Sequence, residues 1–251
     1  MTGNQQGRTN YNNNKVIIMR YLIGLILCLS WLVANADDVF SMRMNAFRLV
    51  NDVLLYHNPR YSNQDPALRE EYRQLVVTLS SWSAANRFGP LASSQTLVSD
   101  LETAVTDVDQ LAPELDYLFP VYMNKMLQTH AALDEFLASL EPQDSDRSIL
   151  NDVAVSVSMQ NLAYQAQVFG SLNFYLLGGD PDALSLLDDQ ILQRCIKAVE
   201  SKDYQNLEEQ QKIQDILTKY RFIRTHVTGE KQQWIPDLVA RYRNSIVDVA
   251  D

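Results

Sequence analysis

The sequence predicts an all-α protein of about eight amphipathic helices, arranged as two tandem four-helix units that arose by internal duplication. Three observations carry this reading. Beyond residue 37, apolar residues recur at spacings of three and four through most of the chain. Glycine and proline number only 8 each among 251 residues, too few for the turn-rich look of a sandwich or barrel. No stretch alternates polar and apolar residues long enough to argue for a strand.

The chain opens on an address segment. Residues 1–18 are polar and Asn-rich, with Asn12, Asn13 and Asn14 in a row, and read as disordered or as a mis-assigned start ahead of Met19. Residues 19–36 read as a secretory signal peptide. Tyr21 to Ala34 carry no charge, Arg20 precedes them, and Ala34-Asn35-Ala36 offers small residues for cleavage. The apolar run is shorter than the roughly 20 residues of a spanning helix. If it is not cleaved it is a membrane anchor, the chain's only expected membrane contact. Cleavage would remove Cys28 and leave Cys195 as the sole cysteine, excluding an internal disulfide. With no Asn-X-Ser/Thr site either, the expected location is periplasmic or secreted, in a bacterial envelope.

The first helical segment runs from about Val39 to Tyr56. The second opens at Asp65-Pro66, a cap followed by proline at the first helical position, and stops at Asn86. Its stripe is Leu68, Tyr72, Leu75, Val76, Leu79 and Trp82. The third carries Leu97, Leu101, Val105 and Val108. The fourth starts at Pro113, includes Leu115 in its stripe, and is expected to kink at Pro120. A polar link from Pro142 to Ser148 separates the proposed units, 37–142 and 143–251. The fifth segment is expected to reach Leu177, and the sixth to open at Asp180-Pro181 and bear Cys195 on its apolar stripe. The seventh spans about Tyr204 to Val227, and the eighth follows Gly229.

The duplication rests on three markers kept in order. Phe47-x-x-x-Asn51-x-x-Leu54-Leu55 reappears as Phe169-x-x-x-Asn173-x-x-Leu176-Leu177, Asp65-Pro66 as Asp180-Pro181, and Phe119-Pro120 as Ile235-Pro236. Asn51 and Asn173 fall on the apolar stripe of their helices. They are expected to be structural polar groups that tie each unit's first helix to a neighbouring backbone.

Little chemistry is visible. The net charge of −10 argues against nucleic acid as a partner. His57, His130 and His226 stand in no metal-ligand spacing, and no Cys-x-x-Cys or phosphate loop occurs, so neither a metal nor a cofactor is expected. Asp144-Ser145-Asp146 and Asp180-Pro181-Asp182 are acidic loops better suited to helix capping than to calcium. One basic cluster departs from the acidic background. Arg221, Arg224, Arg241 and Arg243, with nearby lysines and tyrosines, either balance surface charge or converge on an anion or partner. The expected function is therefore that of an exported interaction or adaptor protein without catalytic activity, meeting an envelope protein. The alternative is a small-molecule or anion-binding sensor subunit that uses those arginines.

Overall fold

The computed structural model describes residues 38–58, 65–86, 91–141, 149–170, 172, 183–200, 207–227 and 235–250. These residues form eight α-helices and no strand, so the all-α class is established for them. The helices are α1 (38–56), α2 (Pro66–Ala85), α3 (Ser94–Asp109), α4 (Phe119–Leu140), α5 (Ile149–Phe169), α6 (Ala183–Glu200), α7 (Leu207–Val227) and α8 (Pro236–Ala250). The expected signal segment, the 142–148 link, Asn173, Leu176-Leu177 and Asp180-Pro181 lie outside the described residues. Most of the second set of duplication markers lies there with them.

Local signals explain the helix ends. Asp65 caps α2, its Oδ1 accepting the Ala67 N–H at 2.9 Å, with Pro66 in the first turn, where no donor is needed. Two ends differ from expectation. Pro113–Leu118 is a separate 3₁₀ turn rather than the start of a long helix. The α-helix begins at Phe119, which places Pro120 in a first turn instead of at a kink. The fifth helix stops at Phe169 rather than Leu177. Gly170 follows with φ 92°, a left-handed ending open to glycine and costly for other residues.

The described residues from Phe40 onward form one unit by their contacts. Side-chain pairs give the packing directions. Arg43 meets Asp134, Phe47 meets His130, and His57 meets Phe119, so α1 runs antiparallel to α4. Ser158 meets Arg243 and Gln165 meets Pro236, so α5 runs antiparallel to α8. Lys219 with Ser245, and Phe222 with Tyr242, set α7 against α8 in the same way. α1 touches members of both proposed halves, through Asp134 of α4 and Arg243 of α8.

α1 and α5 are the central helices. Sixteen residues of α5 are buried, spread around its whole circumference, and residues 46–55 of α1 are all buried except Arg48. A helix buried on every side shows no stripe, and its polar residues must find partners inside. α2 is peripheral by contrast. Only Tyr72, Leu79 and Ser83 of its residues are buried, while Leu68, Leu75, Val76 and Trp82 are half-covered.

Candidate functional site

The interior around α1 is unusually polar. Arg43, Asn51 and Asp52 on α1, His130 and Asp134 on α4, Ser158, Asn161 and Gln165 on α5, and Arg243 on α8 are all buried. Arg43 forms a buried ion pair with Asp134 through Nε and Nη2, and its Nη1 donates to Glu141 Oε2 at 3.0 Å. Arg243 is 1% exposed. Its Nε and Nη2 donate to Ser158 Oγ at 3.2 and 3.0 Å, its Nη2 reaches the Met44 carbonyl at 3.4 Å, and its Nη1 donates to Asn244 Oδ1 at 2.8 Å.

Arg48 stands at the edge of this interior, one helical turn before Asp52. Its Nε is 3.7 Å from Asp52 Oδ2, and its Nη2 is 3.5 Å from Glu71 Oε2 on α2. Both separations are too long for good hydrogen bonds. Arg48 Nε and Asp52 Oδ2 are buried atoms with no hydrogen-bond partner among the described residues. Burial pushes the Asp52 carboxyl up to about 7, against the charges of Arg243 and Arg48 and with a small contribution from Glu71. An open groove of about 420 Å³ lies along α2 beside Arg48 of α1, lined by Arg48, Ala67, Glu70, Glu71, Gln74, Leu75 and Thr78. Behind Arg48, a cavity of about 50 Å³ reaches Asn45, Arg243 and Asp248.

The four arginines singled out in the sequence do not share one site. Arg221 is exposed on α7. Arg224 is committed to Asp188 on α6, with Nη2 2.7 Å from Oδ2. Arg241 is exposed and pairs within its own helix with Asp237 at 2.8 Å. Arg243 is not a surface residue at all, because its position on α8 turns it towards α5 and α1. Asn51 is buried as expected, but its Nδ2 donates to the Phe47 carbonyl of its own helix at 2.8 Å rather than to a neighbouring element. Cys195 is buried in the core, and burial pushes its thiol up to about 11, the reverse of nucleophile activation.

Two clamps escaped the sequence reading. Asp109, at the end of α3, accepts from the Tyr72 hydroxyl, from Arg73 at 2.9 Å and from Arg69 at 3.4 Å, with His57 Nε2 at 3.2 Å. Burial opposes its ionisation, but these partners outweigh burial and hold the carboxyl below its usual range. Asp188 on α6 plays a similar part, with Tyr220 Oη at 2.6 Å and Arg224 Nε at 2.9 Å. Each clamp gathers side chains of neighbouring elements onto one carboxylate. A tyrosine within four residues of an arginine (Tyr72 three after Arg69 and one before Arg73, Tyr220 four before Arg224) is the sequence trace they leave.

Among the described residues, no group of three or more His, Cys, Asp or Glu side chains is placed to hold a metal ion, and no helix is long and apolar enough to cross a membrane. No protein-family model, curated protein or solved structure matches the chain.

Proposed function

We propose that this chain is an exported helical interaction protein without catalytic activity, docking an envelope partner through the corner where the 3₁₀ turn meets α4. The observation that carries this is the exposure of large apolar side chains there. Tyr117 is 69% exposed, Val121 64% and Leu115 38%, within about two turns of chain. Tyr117 lies near the end of the 3₁₀ turn and Val121 in the first turn of α4, so the two exposed groups bracket the junction. Solvent-facing apolar groups clustered in this way serve as the centre of a contact surface. Glu114 and Asp116 are exposed in the same 3₁₀ turn, so the complementary partner presents an apolar patch with basic groups beside it. Export rests on the uncharged Tyr21–Ala34 run, its Arg20 flank and the Ala34-Asn35-Ala36 exit.

The test is affinity capture from envelope extracts with the full chain and with Tyr117→Glu and Val121→Glu. Both side chains are largely in solvent, so the melting temperature is expected to stay within about 2 °C. The proposal expects one protein to be captured by the parent chain and lost with both variants. Equal capture by the variants rejects the corner. N-terminal sequencing of the envelope fraction tests export, with Asp37 expected first.

A further inference from the structure

We propose that the groove along α2 beside Arg48 binds a small organic cation, a primary amine on a short aliphatic body, which takes the Glu71 carboxylate and sends Arg48 onto Asp52. The site is independent of the α4 corner and stands or falls separately.

Three observations carry this. The first is shape. The groove's volume of about 420 Å³ lies within the range of small-molecule sites, and Ala67, Leu75 and the Thr78 methyl supply apolar surface for an aliphatic body. The second is charge. Glu70 and Glu71 line the groove against one lining cation, Arg48, so an incoming positive charge is favoured and an incoming carboxylate is not. The third is an incomplete arrangement. Arg48 is drawn towards two carboxylates and is well bonded to neither, at 3.5 and 3.7 Å, while Arg48 Nε and Asp52 Oδ2 are buried with no hydrogen-bond partner among the described residues. Leaving such atoms unmet is costly. An ammonium seated on Glu71 replaces Arg48 there. The freed guanidinium closes on Asp52, with the 50 Å³ cavity beside it giving room to move.

Closure has a proton signature. The charged groups acting on Asp52 are Arg48 on its own helix, Glu71 on α2 and Arg243 on α8. With Arg48 Nε 3.7 Å away, burial raises the carboxyl to about 7 despite the charges of Arg243 and Arg48. A close guanidinium stabilises the charged form, so binding releases roughly half a proton at that pH.

The experiment is calorimetric titration of the full chain with isoamylamine at pH 7, in phosphate and in MOPS, two buffers of different ionisation heat. Saturable binding is expected, with a heat that differs between the buffers. Isoamyl alcohol, which has the same body without the charge, should bind at least about tenfold more weakly, and isovalerate more weakly still. Glu71→Gln should lose about tenfold in affinity, and Thr78→Trp should block the groove without altering a charge. Asp52→Asn should keep binding and lose the buffer dependence. Glu71 and Thr78 are exposed, so both of their variants are expected to fold, which circular dichroism checks. No saturable heat, alcohol or isovalerate binding as well as the amine, unchanged affinity in Glu71→Gln, or a heat identical in both buffers overturns the proposal.

Discussion

The Arg243 guanidinium is anchored on the Ser158 hydroxyl by two of its nitrogens, at 3.0 and 3.2 Å, in the buried seam between α8 and α5. An arginine with its charge inside the protein, held in part by a serine hydroxyl, an amide oxygen and a main-chain carbonyl, is sensitive to loss of those acceptors. Arg243→Ala is expected to cost about 2–4 kcal/mol by urea unfolding, and Ser158→Ala about 1 kcal/mol. Arg221→Ala, on the exposed face of α7, should fall within about 0.5 kcal/mol of the parent. Equal costs for the two arginines would contradict the placement of Arg243.

Asp52 gives the stability a pH dependence of definite sign. Burial raises its folded value from 3.8 to about 7, so between those values the folded chain holds a proton that the unfolded chain has released. Stability must therefore fall as the pH rises through that window. Asp52→Asn holds no such proton. The parent's advantage over Asp52→Asn should shrink by a few kcal/mol between about pH 4.5 and 7.5, as measured by paired urea titrations.

His130 acts in the opposite direction. It is fully buried, and burial lowers it from 6.5 to about 4, against the pull of Asp134. Below about pH 6.5 the unfolded chain gains a proton that the folded chain refuses, so stability is lost as the pH falls towards 4. Neither ring nitrogen has a hydrogen-bond partner among the described residues, and the ring meets Phe47 edge-on at 4.7 Å. His130→Leu should lie within about 1 kcal/mol of the parent at pH 7 and be the more stable of the two at pH 5. A variant that loses stability in parallel with the parent on acidification would remove His130 as the source.

Asn51→Leu should be nearly neutral, within about 0.5 kcal/mol, or stabilising. The Asn51 amide donates to Phe47 O, a carbonyl already used by the helix ladder, so its removal orphans no backbone group. Its Oδ1 is buried with no hydrogen-bond partner among the described residues, and Leu removes that cost. A loss of more than 1 kcal/mol in thermal unfolding would show that the amide has a partner outside its own helix.

The elements that were legible are those with a dry face and a wet one. α3 could be read from Leu101, Val105 and Val108, and α2 from its Asp65 cap and its end at Asn86. α5 could be recognised as helix but not placed, because a helix surrounded by protein has no stripe to orient it. Its end was missed at Gly170, since Leu176 and Leu177 carry the apolar spacing past the break. Arg243 did leave a signal. It lies four residues after Val239 and three before Ile246, both buried, so it shares their face. Counting it with Arg221 and Arg241 by proximity in sequence hid that. The Arg48 groove left none, because it depends on the distance between α1 and α2 rather than on either helix alone.

The contact between Arg243 and the Met44 carbonyl also sets an order of events. These residues are 199 positions apart in the chain, and α1 obtains two buried ionic partners for Arg43, Asp134 and Glu141, from 91 and 98 positions beyond it. During synthesis, the central helix therefore emerges well before the groups that neutralise it. A chain halted before residue 236 holds Asp52 and Ser158 with no Arg243 to meet them, in a core that cannot be closed. Contacts of such long range delay completion of the native state until the last helix arrives. The last helix is thus as much a part of the interior around α1 as the helices that follow α1 directly in the chain.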